Sequence, residues 1–254
     1  MPSLEPYDKR LDYSYCLGAY PCSLLLKNRP ESALRLLLSD AAGGEGVDAL
    51  RERCRQLNIR EEIAPRILKR ESGKQNCFVA LVFRKYQSEL DAKKPHAVFH
   101  RISDGGNLGT ALRSAAGFGY SDIAVIRPCV DVFDPHVLRS SMGAYFLGRV
   151  RVYDAFEEYA RDFAGRPMYP FMLDGARDLD EVAGDAPAVH SLIFGNEAAG
   201  LDASFQEFGQ SVKIKQSDAI DSLNLAVAAS IAMYTFSRHS GQATGNQRTG
   251  ETEK

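Results

Sequence analysis

Two stretches of the chain differ in the rhythm of their hydrophobic and polar positions. From residue 96 onward, short apolar runs alternate with stretches of helical spacing. Strands are predicted over 97–102, 122–128, 150–154, 168–174, 189–194 and 211–215, and helices over 108–119, 135–147 and 155–164. Apolar runs with little internal alternation fit strands buried on both faces. Regular strand–helix alternation argues for a parallel sheet with helices on both sides. The last apolar run, 225–236, is rich in alanine and far shorter than the roughly 20 residues a membrane span requires. It reads as a closely packed final helix. Asp221 or Ser222 is its expected N-cap, which leaves Asn224 as a second polar side chain in the first turn.

The front of the chain is less regular. A short helix interrupted at Pro21 is expected over 11–26, and a buried strand over 33–41. An amphipathic helix over 47–59 turns Val47, Leu50, Cys54 and Leu57 inward and Arg51, Arg53 and Arg55 outward. A basic helix-and-loop segment (61–74) and a strand (76–86) follow. The resulting organisation is a small α/β domain (1–88), a polar linker (89–95), a larger α/β domain (96–238), and a Gly/Thr-rich tail (239–254) expected to be disordered.

Composition narrows the class. Of the 254 residues, 44% are hydrophobic and 25% charged, as in a globular protein with a full core. Five cysteines without C-x-x-C or zinc spacing suggest reduced thiols in a cytoplasmic protein, and the N-terminus has no signal-peptide pattern. The net charge of −2 does not advertise a polyanion partner, but its distribution is uneven. Residues 1–95 carry 17 Lys+Arg against 13 Asp+Glu, and the remainder 14 against 20. A basic front suits a polyanion held at one end. Arg51, Arg55, Arg66, Lys69, Arg70 and Lys74 are the candidate phosphate contacts. Such contacts position a nucleic acid without specifying it.

Three turns built from polar residues, two of them with glycine, fall at predicted strand ends, where ligands of open α/β sheets bind: 104–107 (DGGN), 195–197 (GNE) and 221–224 (DSLN). Familiar motifs do not fit them. No G-x-G-x-x-G register can be placed, and there is no Walker A lysine, H-E-x-x-H or G-x-S-x-G. The five histidines are scattered, so no metal centre is expected. Taken singly, Arg113 reads as a solvent-facing helix residue, Glu197 as a carboxylate at a helix N-terminus, and Ser222 as a cap.

Together the turns say more. N-L-G-T-A-L-R-S-A-A-G-F-G (107–119), I-F-G-N-E-A-A-G-L (193–201) and D-S-L-N-L-A-V-A-A-S-I-A (221–232) occur in order. With Asp134-Pro135 and Arg139-Ser140-Ser141-Met142-Gly143-Ala144, they resemble the motifs of the SpoU/TrmH-type RNA ribose methyltransferases of the SPOUT superfamily, over residues 96–238. The front domain resembles the ribosomal-protein-like RNA-binding domain often fused to these enzymes.

The resemblance implies a parallel α/β sheet with a C-terminal trefoil knot and a homodimer with sites at its interface. It also implies transfer of a methyl group from S-adenosylmethionine to a ribose 2′-hydroxyl of rRNA or tRNA, without metal. By motif match, Gly195, Asn196, Ile214, Ser222 and Leu223 would hold the methyl donor. Asn107, Arg113, Glu197, Ser222 and Asn224 would form the catalytic set. In this set Arg113 would engage phosphate and hydroxyl, and Asn107 would orient Arg113 or the ribose. Glu197 would fix the arrangement, while Ser222 and Asn224 would position the hydroxyl and the donor's carboxylate end. Ile214-Lys215-Gln216 departs from the family's I-P-M and loosens the expected donor loop. The alternatives are a non-catalytic RNA-binding or assembly factor that kept the fold, and a nucleotide oxidoreductase, which the missing glycine register disfavours.

Overall fold

The computed structural model describes residues 4–74, 76–173, 176–217 and 219–239. The front half contains β1 (Tyr13–Leu17), α1 (Ala19–Asn28), β2 (Ala33–Leu38), α2 (Glu45–Gln56), β3 (Arg60–Ile63), α3 (Pro65–Ser72) and β4 (Val79–Arg84). Its sheet has the order β1-β4-β2-β3, antiparallel except for β2 with β3. Strand alternation sorts its core. Leu36 and Leu38 face α1 and α2 with Cys22, Leu25, Val47, Leu50 and Cys54, whereas Leu37 faces α3 with Ala64 and Leu68.

Two front-half expectations are corrected. Residues 11–26 form a strand and then a helix, and Pro21 lies in the first turn of α1, where a missing N–H costs no hydrogen bond. Part of the expected basic helix-and-loop is the edge strand β3, whose REEI pattern carries no apolar alternation.

The rear half contains β5 (His96–His100), α4 (Gly105–Gly117), β6 (Asp122–Ile126), α5 (Pro135–Ser140), β7 (Arg149–Tyr153), α6 (Phe156–Asp162), β8 (Met168–Pro170), β9 (Arg177–Asp178), α7 (Leu179–Asp185), β10 (Ser191–Phe194), β11 (Val212–Lys213) and α8 (Leu225–His239). Five parallel strands take the order β7-β6-β5-β10-β8. The chain builds outward from β5 through β6 to β7, then crosses to β8 and returns to place β10 beside β5. The switch point thus lies between β5 and β10, at whose carboxyl ends a crevice is expected. Helices α4, α5, α7 and α8 cover one face, and α6 covers the other with Phe156 and Tyr159.

Here too the sequence needed correcting. The expected 135–147 helix breaks after α5, because Met142 and Gly143 are left-handed (φ 51 and 81) before a short 3-10 turn. A Cβ on Gly143 would sit 2.8 Å from Pro21 Cα, so glycine is required at this turn. The acidic loop holds β9 and α7. The last expected strand shrinks to β11, which pairs with β9 outside the main sheet. Asp174, at the end of the expected 168–174 strand, and tail residues 240–254 lie outside the described residues.

The halves are fused rather than strung together. Phe83 of β4 packs edge-on to Phe146 (ring centroids 5.3 Å apart), and Tyr86 lies against Phe133 and Tyr145. Arg139 Nη1 donates to the Ser72 carbonyl (2.6 Å), and Ser14 Oγ donates to the Phe133 carbonyl (2.5 Å). Within the 89–95 stretch, Leu90 is buried, and the Asp91 N–H donates to Asp122 Oδ1 (2.8 Å).

Candidate active site

Three loops meet at the switch point. After β5, Asp104 caps α4 by accepting from the Asn107 N–H (2.7 Å). After β10, the 195–200 loop closes on itself through Asn196 N–H to the Gly200 carbonyl (3.2 Å) and the reverse pair (2.9 Å). Gly195 is required there, since a Cβ would fall 2.2 Å from the Gly200 carbonyl carbon. The third loop runs into α8.

Glu197 ties the first two loops together. Its carboxylate accepts from the Ser103 N–H (3.2 Å) and Oγ (3.0 Å), the Asp104 N–H (3.0 Å), Asn107 Nδ2 (3.3 Å) and Asn196 Nδ2 (3.3 Å). Partial burial alone would raise this carboxyl's pKa. The backbone N–H groups of Glu197, Asp104 and Ser103, together with Asn107, outweigh that and hold it below the ordinary value. With its oxygens so occupied, Glu197 is an anchor rather than a proton acceptor.

The anchor dictates polarity further along. A carboxylate only accepts, so the Asn107 amide nitrogen must face it, which leaves Asn107 Oδ1 to accept from Asn224 Nδ2 (2.9 Å). Asn224 Oδ1 in turn accepts from the Ala226 (2.9 Å) and Val227 (3.3 Å) N–H groups. Asn224 is therefore the cap of α8, in place of Asp221 or Ser222, with its oxygen and one of its two amide N–H donors engaged. It aligns the third loop. Asn107, expected to orient Arg113 or the ribose, bonds Glu197 and Asn224, and has no bond to Arg113 among the described residues. Arg113, six residues on, lies about a third of a turn round α4. It is exposed, with no hydrogen bond or ion pair among the described residues.

A cleft of about 420 Å³ opens beside this relay. Gly195, Asn196, Ile214, Ser222 and Leu223, the five residues expected to hold the donor, all line it. Leu201, the last residue of the second motif, and Phe171 add apolar walls; Phe171 lies outside the motifs, and its only signal is its place at the end of a strand. Apolar walls, loop backbone and a Ser222 hydroxyl with no hydrogen bond among the described residues fit a bent adenosine–amino-acid ligand. Lys215, in place of the family proline, is exposed and lies 3.6 Å from Asp178.

The expected phosphate contacts are not one surface. Arg51 and Arg55 project from α2, and Arg66, Lys69, Arg70 and Lys74 lie on or just after α3, on the opposite face of the front sheet. Arg51 pairs with Glu61, Arg55 with Glu52, and Arg70 with Glu71. Arg66, Lys69 and Lys74 are exposed, with no ion pair among the described residues.

Fold and site together define a protein of the SPOUT methyltransferase class. The SpoU methyltransferase AviRb from Streptomyces viridochromogenes, in complex with the cofactor AdoMet, superimposes with a TM-score of 0.75 at 25% identity, over 89% of this chain and 90% of that one. An uncharacterised tRNA/rRNA methyltransferase of Synechocystis sp. is 33% identical over 157 residues, covering 59% of this chain and 57% of its own length. A 23S rRNA (uridine(2479)-2'-O)-methyltransferase of Streptomyces viridochromogenes is 34% identical over 143 residues, covering 54% and 50%. The chain thus spans about half the length of these two curated relatives. The SpoU rRNA Methylase family model matches residues 94–234, and the chain belongs to that family.

Proposed function

We propose that the chain is an S-adenosylmethionine-dependent methyltransferase acting on a ribose 2′-hydroxyl of ribosomal or transfer RNA, as a cytoplasmic homodimer. The observation that carries this reading is the Glu197–Asn107–Asn224 relay, which draws all three motif loops to the lip of one cleft. The named activities of the relatives and the AdoMet-bound likeness support it. The trefoil knot belongs to the same proposal. Its support is the path of the chain from β10 in the central sheet, through β11 on β9, back to α4 by way of α8.

When bound, the donor supplies a methyl group already activated by a sulfonium. The protein must align the acceptor hydroxyl and help it lose its proton, and alignment alone can be worth roughly 7–11 kcal/mol. A guanidinium is always protonated in proteins, so Arg113 holds RNA phosphate bidentately and stabilises the developing alkoxide. Ser222, at the cleft lip with no hydrogen bond among the described residues, orients the hydroxyl. Glu197, Asn107 and Asn224 keep the loops in register. The exposed α3 cations Arg66, Lys69 and Lys74 contact phosphates farther out.

The homodimer would explain Arg113. Val227 (48% exposed), Ile231 (37%) and Tyr234 (46%) form an apolar stripe on α8, and Phe118 at the end of α4 packs on Tyr234. A second copy covering this stripe would bring its own groups to the exposed Arg113. The test is methyl transfer from labelled S-adenosylmethionine to unmodified total RNA, wild type beside Arg113→Ala. Nuclease-resistant dinucleotides in the wild type and a loss of about 10²–10³-fold in the variant are expected. Donor binding by the wild type with no transfer to any RNA would overturn the enzymatic reading.

A further inference from the structure

A second cleft, of about 510 Å³, adjoins the first and is not used by the reading above. It opens at the carboxyl ends of β5, β6 and β10, and its walls include His100, Arg101, Ser103, Cys129 and Asp202. Asn196, Ala199 and Gly200 line both clefts, so the 195–200 loop is the partition between them. Ser103 reaches through to the relay, where it bonds Glu197.

Arg101 is the unusual residue. It is left-handed (φ 59), a conformation a long side chain seldom adopts without tertiary restraint. Two bonds hold it: its N–H donates to the Ile126 carbonyl (3.0 Å), and its carbonyl accepts from Asn196 Nδ2 (2.8 Å). Asn196 thus fixes the backbone from which the Arg101 side chain leaves, at the mouth of the neighbouring cleft. Arg101 is exposed, with no ion pair among the described residues. The one carboxylate of the lining, Asp202, is engaged by the N–H of Ser204 (3.0 Å) and by its hydroxyl. Behind them His100 packs on Phe205, and its buried Nδ1 has no partner among the described residues. Pro128, Cys129, Val130 and Ala199 give the cleft an apolar side.

A cation without an ion pair among the described residues, beside an apolar wall, suits an unstacked nucleotide, the form in which single-stranded RNA is recognised. We propose that this cleft seats the base of the target nucleotide, its phosphate on Arg101 and its ring against Cys129 and Ala199. The ribose then lies over the 195–200 partition, at the edge of the donor cleft. This rests on the RNA methyltransferase reading and extends it by naming where the acceptor base goes.

The test uses the full chain and an unmodified large-subunit rRNA transcript. Arg101→Gln is expected to raise KM for RNA about tenfold and to lower the salt dependence of RNA binding by about one phosphate contact, with donor affinity by calorimetry unchanged. Arg101→Lys should keep the salt dependence. A probe that needs no altered wall is Cys129 itself, labelled with N-ethylmaleimide in a Cys77→Ser background, since the other three cysteines are buried. RNA is expected to slow this labelling at least tenfold, and S-adenosylhomocysteine alone to leave it unchanged. Protection by S-adenosylhomocysteine would assign the cleft to the donor and overturn the proposal, as would a labelling rate indifferent to RNA. Absence of methyl transfer in the wild type would remove the reaction instead. RNA protection of Cys129 reads the cleft separately.

Discussion

Asn224→Ala removes two contributions at once. The first is the cap on α8, whose loss costs typically about 1 kcal/mol. The second is the 2.9 Å bond to Asn107, worth about 1 kcal/mol net. The expected loss is about 2 kcal/mol. For a chain of this size, that corresponds to about 4–8 °C in Tm. Asn224→Ser separates the two contributions: serine caps about as well as asparagine but is too short to cap and reach Asn107 together, so about half the loss should remain. Scanning calorimetry of the three proteins measures both numbers. An alanine variant within about 0.5 kcal/mol of wild type would refute the reasoning. A serine variant as unstable as alanine would show that the cap contributes nothing.

Three further outcomes are expected. Gly195→Ala must open the 195–200 loop, because its Cβ would lie 2.2 Å from a carbonyl carbon, so donor affinity by calorimetry should fall at least tenfold; unchanged affinity would place the donor elsewhere. Ile231→Glu puts a charge in the exposed α8 stripe; on the proposed homodimer, sedimentation velocity should show a dimer for the wild type and a monomer for the variant. Stability should fall between pH 7 and pH 5. Burial holds His190 at about 4, its Nδ1 donating to the Pro187 carbonyl and its Nε2 accepting from Tyr120; burial and the nearby Arg166 do the same to His96. Unfolded imidazoles take protons near 6.5, so over that range the unfolded chain binds more protons, and each histidine removes about 2 kcal/mol by pH 5. Urea midpoints that do not move from pH 7 to pH 5 would contradict this.

The rear half was legible because its central strands are buried on both faces, so runs such as the DIAVI of β6 are apolar without reference to the rest of the chain. The five residues expected to hold the donor were named from motif order, and they line one cleft; Phe171 on its wall was not. Features set by distant contacts were not. Pro21, more than a hundred residues earlier, leaves no room for a side chain at Gly143 in the turn after α5, and β3 is an edge strand whose REEI sequence carries no period. Asn224 rather than Ser222 caps α8 because the helix starts at Leu225, a boundary the polar residues of the turn left open. The basic residues of α2 and α3 looked like one patch in sequence, and a sheet separates them.

The aromatic joint of Phe83, Tyr86, Phe133, Tyr145 and Phe146 makes one core out of what would otherwise be two. A molecule joined this way has no hinge at that seam. Whatever the exposed cations of α3 grip is held at a set distance and bearing from the methyl-donor cleft. On the proposed RNA methyltransferase reading the molecule would work as a caliper, accepting an RNA whose span from gripped backbone to acceptor ribose matches a length fixed by the fold. Softening the joint, for example with Phe83→Ala, would blur the choice of nucleotide before it abolished the chemistry.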